Sequence, residues 1–176
     1  YNKPDMIAYD LSKIQAMAFD VDGVLSSSLV MLISDQPTRT ANIKDGYALQ
    51  LAVKRGFDIA IVTGGRCEKV RERYRGLGIE DIFMGQSVKI SVMEEWMKDR
   101  NLTPEEVLYM GDDIPDYQVM RFVGCSCCPH DAAEEIKEIA TYVSPYAGGE
   151  GCVRDVVRQV LMAHGCWMTD DKAFGW

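Results

Sequence analysis

Residues 16–28 read AMAFDVDGVLSSS. An apolar run through Ile14, Ala16, Met17, Ala18 and Phe19 ends on two carboxylates, Asp20 and Asp22, followed by Gly23. A short apolar run closed by turn residues reads as a buried strand. Charges at the end of such a strand are costly unless something there uses them, so the stretch raises the question of what lies beyond its carboxyl end.

The same rhythm continues outward along the chain. IQAMAF, FDIAIV, DIFMG, VLYMG, CSCCP and ATYVS are short apolar runs bounded by Gly, Asp or Thr. Between them DGYALQLAVKRG, RCEKVRERYRGLG, SVKISVMEEWMKDRN and DAAEEIKEIA carry helical spacing, and a final helix runs through GGEGCVRDVVRQVL. Strands alternating with helices predict an α/β fold, a Rossmann-like parallel sheet with helices on both faces. GLG after the second helix is a stop signal, and Thr103 before Pro104 is an N-cap with proline in the first turn. One segment breaks the alternation: LVMLIS and TRTANI flank DQP, and residues of about 29–43 read as a protruding β-hairpin. No repeat or low-complexity linker divides the chain, so residues 1–176 are expected to form one domain. The last stretch, about 166–176, carries Trp167, Met168, Phe174 and Trp176, an apolar content that favours docking over fraying.

Composition narrows the function classes. Of 176 residues, 47% are hydrophobic and 26% charged, ordinary for a globular domain, and the net charge of −8 without a basic run argues against nucleic-acid binding. The opening stretch YNKPDMIAYDLSK has no long apolar segment and no run approaches a membrane span, so no membrane partner and a cytoplasmic location are expected. The six cysteines, Cys67, Cys125, Cys127, Cys128, Cys152 and Cys166, are scattered through apolar or mixed segments and read as reduced, mostly buried thiols. CSCCPH lacks a second cysteine pair at zinc spacing and reads as strand.

In open parallel sheets ligands bind beyond the carboxyl ends of the strands. Asp20 and Asp22 end the first strand, Thr63 with Gly64 and Gly65 ends the second, Lys89 opens the helix after FMGQSV, and Asp112 with Asp113 ends VLYMGDD. Singly, a TGG is a turn, a GDD a solvated loop and a first-turn lysine a surface charge. Together, in this order on one sheet edge, they form the set that phosphoryl transfer to a carboxylate requires. An attacking Asp and a phosphomonoester repel each other, so a divalent cation between them is needed, and Mg²⁺ suits all-oxygen ligands. Asp20 is placed to attack, Asp112 to hold the metal, Thr63 and Lys89 to bind the transferring oxygens, and Asp22 to protonate the leaving alcohol.

FDVDGVLS, Thr63 in VTGG, Lys89 in GQSVK and GDDIPD together resemble the four motifs of the haloacid dehalogenase superfamily of aspartate-nucleophile phosphatases. Beyond the motifs, NIKDGYAL, VRERYRGLGI, GDDIPDYQVM, DAAEEI and GGEGCVRDVVRQVL resemble the 3-deoxy-D-manno-octulosonate 8-phosphate (KDO 8-phosphate) phosphatase family over nearly the whole chain. The resemblance implies Asp20, Asp22, Thr63 and Lys89 as catalytic residues. It implies a Mg²⁺ site of the Asp20 and Asp112 side chains and the Asp22 carbonyl. It further implies that Asn42, Lys44, Asp45, Gly46, Arg73 and Lys89, with Gly64 and Arg66 of the TGGR turn, hold a small sugar-acid phosphate. Relatives commonly carry arginine where this chain has Gly65 and Gln50, and Thr or Ser, Asp and Gly where it has Ser26, Ser27 and Ser28. Phosphatases of nine-carbon sugar-acid 9-phosphates share the scaffold and differ in such contacts. A non-catalytic binding relative and a phosphate-receiver domain are the other readings; the former is opposed by the intact Asp20, Asp22, Thr63, Lys89 and Asp112. The spacings from Asp22 to Thr63 and from Thr63 to Lys89 leave no room for a cap domain. By resemblance, capless members are homotetramers whose neighbouring subunits close the site, and the tail reaches a neighbour's cleft.

Overall fold

The computed structural model of the chain describes residues 6–176; the first five residues of the opening stretch lie outside the described residues. Six strands, β1 (Ala16–Phe19), β2 (Asp58–Val62), β3 (Asp81–Phe83), β4 (Val107–Met110), β5 (Cys125–Cys128) and β6 (Tyr142–Val143), form one sheet in the order β3-β2-β1-β4-β5-β6. Every pairing is parallel. Helices α1 (Ile43–Lys54), α2 (Glu68–Arg75), α3 (Lys89–Asp99), α4 (Tyr117–Phe122), α5 (Glu134–Ile139) and α6 (Cys152–Ala163) cover both faces. Their placement follows the strand alternation. Met17, Phe19, Ile59, Ile61, Leu108 and Met110 share a core with residues of α1, α2 and α6. Ala16, Ala18, Ala60, Val62, Val107 and Tyr109 point the other way into a core with α3, α4 and α5.

The sheet is a Rossmann-like α/β fold without a cap domain. From β1 the chain steps outward to β2 and β3, then returns to the other side of β1 for β4, β5 and β6. The crevice beyond β1 and β4 is therefore the topological switch point, where open α/β sheets bind ligands. The register makes that edge level, because Phe19 aligns with Ile61 of β2 and with Met110 of β4. Asp20, Thr63 and Asp112 thus follow within two residues of one row.

Three expectations differ in detail. The segment of about 29–43 is not a ladder of strands: it closes through a single antiparallel bridge, Met31 N to Thr38 O at 3.0 Å and Thr38 N to Met31 O at 2.9 Å. Its apolar side chains are largely exposed, Leu29 and Leu32 each at 80% and Ile33 at 72%. A two-stranded ribbon in water is marginal without a surface to cover it. Thr103 does start a turn, donating its amide to Glu106 Oε1 at 3.0 Å, but the helix is one 3₁₀ turn, Pro104–Glu106. Helix α4, too short for a clear 3.6-residue period, was not anticipated.

The C-terminal stretch docks on its own chain. Asp171–Phe174 forms a 3₁₀ turn over α1, where the Tyr47 hydroxyl donates to the Ala173 carbonyl, and Trp167 and Trp176 each meet the Tyr47 ring edge-on at 5.9 Å. Arg55 donates to Cys166 O at 2.9 Å and to Asp170 Oδ2 at 2.8 Å. All six cysteines are free thiols; Cys125, Cys127, Cys128 and Cys152 are buried.

Candidate active site

The row of strand ends opens on a cleft of about 760 Å³, lined by Asp20, Asp22, Thr63, Gly64, Gly65, Arg66, Lys89 and Asp112 among others. After Phe19 the backbone turns away at once. Asp20 Oδ1 accepts from Val21 N at 2.7 Å, and Ser26 N closes the wide turn Val21–Leu25 on Val21 O at 2.9 Å. Gly23 sits inside that turn at φ +81°, and a Cβ there would fall 1.9 Å from Asp112 Oδ2. Only glycine lets the β1 turn and the β4 carboxylate approach this closely.

Lys89 is buried at the start of α3, with Nζ 3.0 Å from Asp20 Oδ2 and 2.8 Å from Asp116 Oδ1. Burial works against its charge, yet the two carboxylates outweigh it and raise the pKa. Asp116 is wholly buried and takes four donors: Lys89 Nζ and the Tyr109 hydroxyl at 2.6 Å on Oδ1, and the amides of Asp112 at 2.9 Å and Asp113 at 3.3 Å on Oδ2. It fixes both the lysine and the loop that carries Asp112. Thr63 is buried at the end of β2, and its Oγ1 accepts from Gly65 N at 3.1 Å.

Burial, with Asp116 next, lifts Asp20 well above the ordinary carboxylate range, and Lys89 offsets only part of this. Burial and then Asp116 push Asp112 up to about 7. Asp20, Asp112 and Asp116 offer oxygens within 4.8 Å of one another. With Asp116 saturated by its four donors, the buried Asp20 and the half-buried Asp112 remain as crowded, like-charged oxygen donors. That set fits a hard divalent cation, which would relieve the repulsion that the isolated carboxylates suffer.

Asp22 projects into the cleft, where Arg39 forks onto it: Nε to Oδ1 at 2.6 Å and Nη2 to Oδ2 at 3.1 Å. Arg66 is exposed, its guanidinium lying across Gly85 on the cleft wall. Asn42, Lys44, Asp45, Gly46 and Arg73 do not line this cleft. Asn42 caps α1, accepting from Lys44 N at 2.9 Å and Asp45 N at 3.0 Å, and Lys44 is exposed. Asp45 is buried with Oδ1 accepting from Arg154 N at 2.9 Å while Oδ2 has no partner. Arg73 Nη2 lies 2.5 Å from where a Cβ on Gly46 would be, and both its Nε and its Nη2 are buried without partners.

Sequence reasoning did not single out Arg39, Tyr109 or Asp116. The GDDxxD spacing was the available signal for Asp116; Arg39 stands alone in a polar stretch and Tyr109 inside an apolar strand.

A family model described as haloacid dehalogenase-like hydrolase matches residues 75–154. Over 162 residues the chain is 36% identical to the 3-deoxy-D-manno-octulosonate 8-phosphate phosphatase KdsC of Escherichia coli K12, covering 92% of this chain and 86% of that protein. The chain belongs to that phosphatase family of haloacid dehalogenase-like hydrolases. It is accordingly an enzyme, a hydrolase of phosphoric monoesters. Two crystal structures of the family superpose closely. The Yersinia pestis enzyme gives a TM-score of 0.85 at 34% identity, covering 94% of this chain and 87% of that one. The Moraxella catarrhalis enzyme, solved with magnesium, phosphate and KDO, gives 0.84 at 30% identity, covering 88% and 89%.

Proposed function

We propose that the chain hydrolyses a sugar-acid phosphomonoester, KDO 8-phosphate, to KDO and phosphate in lipopolysaccharide precursor synthesis. The observation that carries this reading is the buried Lys89 Nζ bridging Asp20 and Asp116 beside Asp112, at the switch point of a capless sheet whose relatives bear that name. Asp20 attacks phosphorus, and the bond to the ester oxygen breaks as the leaving alkoxide takes a proton from Asp22. Asp22 then removes a proton from a water that attacks the phosphorus of phospho-Asp20. The Asp20 carboxylate returns and phosphate leaves. Lys89 and the Thr63 hydroxyl hold the transferring oxygens, with the backbone N–H groups of the turn after β1 close by. Mg²⁺, held by the Asp20 and Asp112 side chains and the Asp22 carbonyl, would supply the positive charge that lets a carboxylate approach a phosphate.

In this reading the residues outside the cleft serve a second copy. Asn42, Lys44 and Arg73 meet the sugar acid of a neighbouring cleft, with the buried Asp45 and Gly46 supporting them from behind, and the exposed Leu29, Met31, Leu32 and Ile33 pair with copies of themselves in a homotetramer. In this reading the chain works in the cytoplasm, where the sugar-acid phosphate would be made; among the described residues no helix is long and apolar enough to cross a membrane. Gln50 and Gly65, where relatives carry arginine, favour testing a nine-carbon 9-phosphate as a second substrate. The test is turnover with Mg²⁺ on KDO 8-phosphate, a nine-carbon sugar-acid 9-phosphate and glucose 6-phosphate. The reading expects KDO 8-phosphate to be preferred and chelation to abolish turnover. Preference for the nine-carbon ester would move the substrate assignment, and equal turnover of glucose 6-phosphate would overturn it.

A further inference from the structure

Arg39 reaches the cleft from outside the sheet. It belongs to the segment after the β1 turn, which is otherwise tied down by the Met31–Thr38 bridge and by Ser27 N donating to Thr40 Oγ1 at 3.2 Å. Its guanidinium is held by three hydrogen bonds: Nε and Nη2 fork onto the two oxygens of Asp22, and Nη1 donates to Pro37 O at 3.0 Å. The side chain is only 10% exposed. Room for it comes from Gly65, where an added Cβ would lie 2.8 Å from Arg39 Nη2.

The pairing has a consequence for the chemistry. Asp22 needs an oxygen turned to the leaving group, and both of its oxygens accept from Arg39. The other buried cation of the cleft, Lys89, already serves Asp20 and Asp116. A substrate that carries an anion besides its phosphate meets Arg39 and, on the cleft wall, Arg66, and of these two only Arg39 is paired with Asp22, so only its release would also free Asp22. A guanidinium fork matches a carboxylate of the substrate as well as it matches Asp22, so the exchange trades one bidentate pair for another.

We propose that Arg39 is a specificity-determining residue, which passes its fork from Asp22 to a carboxylate on the substrate and so frees Asp22 for proton transfer only when an acid-bearing phosphomonoester is bound. This rests on the sugar-acid reading above. It couples recognition to the chemical step through one side chain, and through the segment that carries it.

The test compares kcat/KM for KDO 8-phosphate and for glucose 6-phosphate in the wild type, in Arg39→Ala and in Arg39→Lys, with melting temperatures as a folding control. The ratio of acid-bearing to neutral substrate should fall about tenfold or more in Arg39→Ala, a change of about 1.4 kcal/mol in discrimination, with KM for the acid-bearing substrate raised. Arg39→Lys keeps the charge without the fork and should fall between, which keeps the proposal testable if the alanine variant misfolds. A ratio that changes by much less than tenfold, because both substrates lose equally or neither does, would overturn the role assigned to Arg39. A wild type without preference for the acid-bearing substrate would instead overturn the sugar-acid reading.

Discussion

Among the described residues, the polar groups of the cleft and those buried on α1 and α2 are finished to different degrees. In the cleft, Asp116 takes four donors, Lys89 bridges two carboxylates, and Asp22 is forked by Arg39. On α1 and α2, Asp45 Oδ2, Gln50 Oε1 and Arg73 Nε and Nη2 are buried without hydrogen-bond partners among the described residues. Buried polar atoms left unpaired cost about 1–3 kcal/mol each, so a fold keeps them only where another group completes them. The contrast teaches that the reacting groups are held by contacts within the chain, while the polar atoms on α1 and α2 have no hydrogen-bond partner among the described residues.

Substitutions in the first cluster should cost rate above all. Asp112→Asn removes one of the two free oxygen donors beside Asp20 and should lower kcat/KM by about 10²–10³-fold. Added Mg²⁺ should raise the melting temperature of the wild type and not of this variant, a comparison that thermal melts read without any assay of activity. Asp116→Asn leaves Lys89 and a loop amide short of an acceptor. It should lower kcat by about tenfold to a hundredfold and destabilise the fold by about 1–3 kcal/mol, measured by turnover and urea melts.

In the second cluster the effect should appear in stability and carry a pH dependence. Burial raises Asp45 from 3.8 to about 6, Arg154 offsetting only part of this. A carboxylate with a raised folded-state pKa contributes stability that is full below its unfolded pKa and is lost as pH rises through the folded one. Asp45→Asn keeps an acceptor for Arg154 N and should be more stable than wild type at pH 8 by about 1–3 kcal/mol, with the difference vanishing near pH 4. Denaturant melts at the two pH values check this, and a difference of the same size at both would sink it.

The smallest effect belongs to the tail. Deleting residues 171–176 removes the Tyr47–Ala173 hydrogen bond and the Trp176 ring contact, and should cost about 1 kcal/mol of stability. Because the tail docks on α1 of its own chain, kcat and KM should stay within about twofold, little on the scale where tenfold is 1.4 kcal/mol. A larger kinetic change would place the tail at a cleft, as the resemblance implied.

The sheet and the reacting edge were legible because both follow from local pattern. Apolar runs closed by Asp, Thr or Gly give strand ends, and parallel topology lines those ends up, so Asp20, Thr63, Lys89 and Asp112 could be placed together without coordinates. Asp116 and Tyr109 were not legible, since their role is a contact made only when β4 and the following turn close on α3. Arg39 was hidden for a related reason: its partner lies seventeen positions earlier and its space depends on Gly65. The hairpin was legible in its pairing, since LVMLIS and TRTANI meet at Met31 and Thr38, but its extent was not, because composition does not supply the covering surface that a longer two-stranded ribbon needs.

The account turns on Asp20 as the group that receives the phosphoryl. The direct measurement is steady-state phosphate release from KDO 8-phosphate with Mg²⁺ by Asp20→Asn, alongside its melting temperature. The amide keeps the side chain's shape and is no nucleophile, so turnover should fall by at least about 10³-fold, some 4 kcal/mol of barrier, with the fold intact. A folded variant that retains activity within about tenfold of wild type, no more than about 1.4 kcal/mol, would contradict the assignment.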